Sequence, residues 1–192
     1  MADPATTAPL TYAEYRERER ASPAKHEFVD GEIFAMSGAR RVHNQIAANF
    51  LALCWTAFRE RRCVVYGSDM RVVTADDVAA YPDVSALCGA PRFSDDVQDE
   101  LVNPSLLVEV LSESTEAYDR GEKFEHYETI ASLREYVLAS STKPRLEVFR
   151  RADGGAWTRI TAVAGERVTF ESVGVTLSVD EIYARAFEAA PA

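Results

Sequence analysis

A glutamate inside an apolar run is the first residue with the chemistry of a functional site. Glu109 interrupts the segment LLVEVLS, in which period-2 alternation places it on one face of a strand with Leu107 and Leu111. An ionised carboxylate is expensive to bury without a cation or several hydrogen-bond donors. A metal ion would supply the cation, whereas a partner arginine or a strand-edge position would explain Glu109 without any function.

An aspartate and a lysine elsewhere in the chain could complete such a site. Asp83 follows Pro82 at the start of a predicted strand, where an acid commonly serves only as a turn residue. Lys123 lies early in a predicted helix, on the same side as Tyr127 and Ile130, and therefore borders its inward face. A lysine whose stem covers apolar surface while its ammonium reaches solvent is the simpler interpretation. The combination of two acids and an amine is what indicates a site.

Turn and capping signals predict the elements of the first half of the chain. Thr11 and Glu14 have the spacing of a capping box at the start of a short helix. Asp30 and Gly31 predict a two-residue hairpin turn between HEFV and EIFAM. Apolar residues at helical spacing predict an amphipathic helix from Val42 to about residue 60. CVVYG, DMRVV and PDVSALC are predicted strands, and TADDVAAYP a polar loop or hairpin end.

The second half alternates strands and helices. After the acidic connector RFSDDVQDELVNP, the compact run SLLVEVLS predicts a central strand covered on both faces. Asp119, with Glu122 three residues later, predicts the cap of the helix that carries Lys123. Four further strands are predicted for REYVLAS, RLEVFRR, WTRITAV and RVTFESV. Ser178 and Glu181 predict a capping box at a final helix.

Length and composition predict one globular domain over residues 1–192, with residues 1–10 as a flexible lead-in. The chain has 47% hydrophobic and 27% charged residues, and no apolar run approaches the roughly 20 residues of a membrane helix. The N-terminus lacks a basic start followed by an apolar run, so we expect a cytoplasmic protein. Three cysteines without CxxC spacing predict neither a disulfide nor a zinc site.

Net charge counts against nucleic-acid binding through bulk electrostatics. The formal charge is −10, whereas phosphate contacts need clustered lysine and arginine. Local clusters at residues 40–41 and 59–62 soften this objection, as would a bound cation that cancels nearby carboxylates. These arginines are otherwise explained as solvated helix ends.

The arrangement resembles a known family, the Uma-type "putative restriction endonucleases" of the PD-(D/E)XK nuclease superfamily. The resemblance runs from HEFVDGEI through VHNQI, YPDVSAL and LLVEVLSEST to DRGEKFEHYE and REYVLAS. It implies an α/β fold with a restriction-endonuclease-like core, a mixed central sheet flanked by helices, and additional antiparallel strands at the C-terminus. The superfamily pattern places a lysine two residues after the second acid, but Leu111 stands there in this chain.

Residue by residue, the resemblance implies a catalytic site. Its matching positions are Asp83 for the acid of the PD motif, Glu109 for the second acid, Glu27 for a hairpin acid, Lys123 for a lysine moved to the following helix, and His43 and Gln45 for polar positions that would contact substrate. Oxygen ligands from Asp83 and Glu109, with the backbone carbonyl of Val110, suit Mg2+ or Mn2+. Glu27 is otherwise a solvated strand residue, and His43 and Gln45 are ordinary polar residues at a helix start.

The implied activity is metal-dependent hydrolysis of DNA. Two alternatives stay open: a nuclease-like fold acting as a non-catalytic binding or regulatory module, which the net acidity favours, and an enzyme acting on another phosphate ester. Related folds often pair to cut both strands, so we also expect a homodimer.

Overall fold

The computed structural model describes residues 9–36, 38–94 and 98–188. The chain contains five helices and thirteen strands in these ranges: α1 (Tyr12–Ala21), β1 (His26–Val29), β2 (Glu32–Ala35), α2 (Arg41–Phe58), β3 (Cys63–Gly67), β4 (Arg71–Val73), β5 (Ala79–Ala80), β6 (Val84–Cys88), β7 (Glu100–Leu101), β8 (Leu106–Val110), α3 (Glu116–Arg120), α4 (Glu122–Glu128), β9 (Glu135–Ala139), β10 (Arg145–Arg151), β11 (Trp157–Val163), β12 (Arg167–Phe170), β13 (Val175–Ser178) and α5 (Val179–Ile182). Among the described residues, no helix is both long and apolar enough to cross a membrane.

A six-stranded mixed sheet forms the centre of the molecule. Its strand order is β11-β10-β9-β8-β6-β3, with β8 and β9 parallel and the other neighbours antiparallel. All five residues of β8 are buried, which confirms the prediction of a doubly covered central strand. Period-2 alternation sends Val108 and Val110 into the core beneath α2, and Leu107 into the core beneath α4. Glu109 therefore faces the α4 side.

Helix α2 covers one face of this sheet because its apolar residues recur at helical spacing. Ile46, Phe50 and Cys54 are fully buried, and they pack in one core with β8 and the C-terminal strands. The helix runs from Arg41 to Phe58, close to its predicted bounds. Its N-terminus carries no side-chain cap.

A second, five-stranded sheet has the order β2-β1-β5-β4-β7 and positions the hairpin acid. The β1–β2 hairpin forms as predicted, with positive φ at Asp30 (50°) and Gly31 (87°). Helix α1 begins with the predicted capping box and packs Tyr15 onto this sheet. Strand β7 lies within the predicted acidic connector, of which residues 95–97 are outside the described ranges, as are residues 1–8 of the predicted lead-in.

Arg120 anchors α3 to the central sheet. Its guanidinium Nη2 donates to Glu147 Oε1 on β10 at 3.0 Å. Burial alone would raise the pKa of Glu147, but the hydrogen bond and charge of Arg120, joined by Arg145 and Arg159, hold that pKa below its ordinary value. The pair holds α3 against β10.

Two predicted capping interactions do not form. Asp119 does not begin the helix of Lys123: it lies inside α3, is buried, and accepts a hydrogen bond from the Thr115 hydroxyl at 2.7 Å. Gly121, with non-helical backbone, separates α3 from α4 and serves as the cap. Ser178 is the N-cap residue of α5, as predicted, but it makes no side-chain capping bond, and α5, which packs against α2 and β13, spans only four residues.

The expectation of no disulfide is also wrong. Cys63 and Cys88 form a disulfide across the antiparallel pair β3 and β6, where the strand register sets them directly opposite each other. The third cysteine, Cys54, is a buried free thiol in the core, where burial raises its pKa to about 12.

Candidate active site

The Lys123 ammonium is the centre of a buried cluster of acids. Its Nζ lies 2.9 Å from Glu27 Oε1, 2.9 Å from Glu109 Oε1 and 3.8 Å from Asp119 Oδ1. The Lys123 side chain is only 6% exposed. Residues separated by as many as 96 positions in sequence thus meet at one point.

Each of these side chains arrives from a different element. Strand β1 carries Glu27, the C-terminal half of β8 carries Glu109, and the first turn of α4 carries Lys123. Alternation along β8 turns Glu109 towards α4, where the Tyr127 hydroxyl donates to its Oε1 at 3.0 Å. The backbone N–H of Tyr81 donates to Glu27 Oε1 at 3.4 Å.

Asp83 extends the cluster at the edge of the central sheet. It immediately precedes β6, which pairs antiparallel with β8. Its Oδ2 accepts a hydrogen bond from the backbone N–H of Val110 at 2.7 Å, and His43 Nε2 from α2 lies 3.2 Å from the same oxygen. Asp83 therefore lies beside the strand end that carries Glu109, and the two carboxylates interact electrostatically.

Gln45 makes its contacts away from the cluster. Its Nε2 donates to Asn49 Oδ1 at 2.8 Å. The amide of Asn49 in turn donates to the backbone oxygens of Ile182 and Ala184, at 3.0 and 2.8 Å. In this conformation Gln45 helps to join α2 to the C-terminal segment.

The cluster contains more carboxylates than cations. Burial raises the pKa of Glu109 well above its ordinary value, against the lowering effect of Lys123. Burial similarly raises the pKa of Asp119, again opposed by Lys123. Burial alone would lower the pKa of Lys123, but the surrounding carboxylates, Glu109 foremost, outweigh it and raise that pKa well above the usual range. The ammonium is held charged, and burial favours protonation of the carboxyl groups that it does not neutralise.

Three members of this neighbourhood were not predicted as site residues: Asp119, Tyr118 and Tyr127. The Tyr118 ring centroid is 5.8 Å from Lys123 Nζ, and burial raises the pKa of its hydroxyl to about 12, so it stays protonated at neutral pH. Asp119 precedes Lys123 by four positions, a spacing that places both on one side of a continuous helix. That spacing indicates that Asp119 could lie beside Lys123. Asp119 and Glu122 also have the spacing of a capping box, and for that reason a cap was predicted at Asp119.

The donor set suits a hard divalent cation in chemistry and charge, since it offers carboxylate oxygens with a deficit of positive charge. Asp83 lies at the start of β6 and Glu109 near the end of β8, and the antiparallel pairing of the two strands sets these ends side by side. Within residues 9–36, 38–94 and 98–188, no three histidine, cysteine or acidic side chains converge as ion ligands. In this conformation Glu109 is instead turned to Lys123 and Tyr127.

Comparison with known proteins assigns the family. Residues 12–180 match the Uma2 family, described as "Putative restriction endonuclease". The chain belongs to the Uma2 family. Two uncharacterized proteins of Synechocystis sp. are similar to it: one is 37% identical over 168 residues, covering 87% of this chain and 94% of the relative, and the other 36% identical over 177 residues, covering 92% and 90%. The Uma-type resemblance of the sequence is thereby confirmed.

A solved structure confirms the fold. A crystal structure described as a putative nuclease belonging to DUF820, from Anabaena variabilis, superposes with a TM-score of 0.75. It covers 93% of this Uma2 chain and 100% of its own, at 15% identity. The shared architecture agrees with the predicted α/β core, in which helices flank a mixed sheet.

Proposed function

We propose that this Uma2 protein hydrolyses phosphodiester bonds in DNA with the help of Mg2+ or Mn2+. The observation that carries the proposal is the convergence of Glu27, Glu109 and Lys123, with Asp83 at the adjoining strand end. Burying several acids around one amine costs folding free energy. Such clusters of perturbed ionisable groups are concentrated at functional sites. Family membership supports a nuclease as that purpose.

Each residue of the cluster would have a distinct role. Asp83 and Glu109, with the backbone carbonyl of Val110, would hold the metal ion. When bound, such an ion polarises the phosphate and lowers the pKa of a water ligand. Lys123 would donate to the attacking water or to the phosphate as charge develops, with its ammonium aimed by Glu27.

His43 would contribute through Asp83. Its Nε2 lies 3.2 Å from Asp83 Oδ2, and its Nδ1 is buried without a hydrogen-bond partner among the described residues. The imidazole would orient that carboxylate at the open end of the cluster, or contact substrate as the family resemblance implies. Gln45 would reach substrate only after leaving Asn49.

The net charge of −10 favours one alternative, a nuclease-like fold that acts as a non-catalytic binding module. A protein-binding module would show no salt-dependent DNA affinity, whereas a nuclease should bind DNA more weakly as salt rises, even with metal present. A measurement of oligonucleotide affinity across salt concentration in Ca2+ separates the two. The expected homodimer and cytoplasmic location remain predictions, the first testable by sedimentation.

Cleavage of supercoiled plasmid tests the activity. We expect nicking with Mg2+ or Mn2+ and none in EDTA. Asp83→Asn, Glu109→Gln and Lys123→Met should each reduce the rate by at least about 100-fold, because each removes a charge at the reacting centre. The control is Glu181→Gln, which alters an exposed carboxylate on α5 outside the cluster and should leave the rate unchanged. Cleavage that persists in EDTA, or in all three variants, would reject the proposal.

Metal binding provides a second, independent measurement. Calorimetric titration with Mn2+ should show one site per chain that disappears in Asp83→Asn combined with Glu109→Gln. Substrate screening with nucleotides and other phosphate esters, run beside DNA, addresses the remaining alternative of a different phosphate ester. A protein that binds Mn2+ but cuts only such esters would keep the site and change the substrate.

A further inference from the structure

Tyr118 borders the cluster but has no part in the roles assigned above. It lies in α3, one turn before the Gly121 break, where the backbone has φ −113° and ψ −106°. A β-carbon at Gly121 would lie 3.3 Å from the carbonyl oxygen of Ala117, so this bend is tightly packed. The bend brings Tyr118 towards Lys123, five positions later, and both side chains approach the same acids.

The Tyr118 hydroxyl is buried, and in the described part of the chain it has no hydrogen-bond partner. Two tyrosines close by are satisfied: Tyr127 donates to Glu109, and Tyr136 donates to the carbonyl oxygen of Asp119 at 2.9 Å. A buried donor without an acceptor lowers stability, and phenylalanine would avoid the cost. A buried hydroxyl without a protein acceptor, among charged side chains, therefore points to a bound group that accepts a hydrogen bond from it.

We propose that the Tyr118 hydroxyl donates a hydrogen bond to a non-bridging oxygen of the phosphate that is cut, beside the Lys123 ammonium. This inference rests on the proposed function and adds a substrate contact to it. Phosphate oxygens are acceptors, and a neutral donor stabilises their developing charge without adding another charge to the cluster. Helix α3 has only five residues, and residues 113–117 are exposed, so a small displacement of this turn admits the oxygen.

Tyr118→Phe tests this role because it removes one oxygen atom and nothing else. The thermal midpoint should stay unchanged or rise, since no protein hydrogen bond is lost. The value of kcat/KM for plasmid or duplex cleavage should fall by about 100-fold, as for the loss of one donor to a developing anion. Affinity for a short labelled duplex in Ca2+, without cleavage, should weaken by about 5-fold, as for one neutral hydrogen bond.

Tyr136→Phe is the matched control. It removes the same atom from a hydroxyl that has a protein acceptor, so it should lower the thermal midpoint while affecting cleavage and duplex affinity less than Tyr118→Phe does.

The outcomes distinguish this inference from the proposed function. If the wild type cuts DNA and Tyr118→Phe cuts and binds equally well, the Tyr118 role is wrong and the nuclease assignment stands. If Tyr118→Phe lowers the midpoint as Tyr136→Phe does and spares cleavage, the hydroxyl has a structural partner such as a trapped water, and the inference is overturned. If the wild type neither cuts nor binds DNA, the proposed function fails and this contact fails with it.

Discussion

Replacing Lys123 by methionine should strongly destabilise the metal-free protein. The ammonium is paired at 2.9 Å with both Glu27 and Glu109, and these side chains are 6%, 12% and 7% exposed. Removing one partner of a buried ion pair typically costs about 3–5 kcal/mol. Because burial already favours the protonated form of Glu109, which limits the charge left behind, we expect the lower end, about 3 kcal/mol. At about 2–4 °C per kcal/mol for a chain of this size, the thermal midpoint should fall by about 6–12 °C.

Calorimetric melting in EDTA measures this effect against a matched lysine. Lys143→Met makes the same substitution at an exposed position and should change stability by less than about 0.5 kcal/mol. In a double-mutant cycle, Glu27→Gln should add less to Lys123→Met than it costs alone, with a coupling of about 1 kcal/mol or more. Equal midpoints for the two lysine variants, or strict additivity in the cycle, would refute the buried pairing.

Three further predictions concern the fold that supports the site. Arg120 holds the pKa of Glu147 below its unfolded value of about 4.3. The stabilisation from this pair is therefore present above that pH and is lost as pH falls through the folded pKa of Glu147. Glu147→Gln should therefore flatten the loss of unfolding free energy between about pH 5 and pH 3 in urea titrations; an unchanged acid limb would contradict the assigned pair. Phe50→Ala should cost about 3–5 kcal/mol in urea denaturation, because Phe50 is fully buried on the sheet-facing side of α2, and a cost below about 1 kcal/mol would mean that α2 does not pack as described. Thiol titration in denaturant without reductant should find one thiol, that of Cys54, and three after reduction; three thiols without reductant would exclude the disulfide between β3 and β6.

Local pattern was sufficient for the elements that carry most of the cluster. An apolar run of strand length predicted β8 as a covered central strand, and alternation predicted the face on which Glu109 lies. An Asp-Gly turn predicted the hairpin of Glu27, because both positions require positive φ. Tyr127 and Ile130, four and seven residues after Lys123, predicted that this lysine borders the inward face of its helix, and both are buried in the core on that side of the central sheet.

Three features of the structure depend on contacts between elements that are distant in sequence, and local pattern does not predict them. The Asp119-x-x-Glu spacing is that of a capping box, but burial beside Lys123 and the Thr115 hydrogen bond place Asp119 inside a helix instead. The disulfide depends on the register of β3 against β6, which brings two cysteines 25 positions apart opposite each other. Tyr118 gives no signal in sequence, because its unpaired hydroxyl exists only after the Gly121 bend has formed.

The wide sequence separation within the cluster makes it dependent on the completed chain. A nascent polypeptide that has not reached position 123 holds the acids of β1, β6 and β8 but no amine to neutralise them, and contacts spanning 96 residues close late because of their loop entropy. Detachment of the five-stranded sheet alone would remove Glu27 from the cluster and expose Lys123, while the six-stranded sheet stays intact. The cluster is thus confined to the completed fold, and misfolded or truncated chains would lack it.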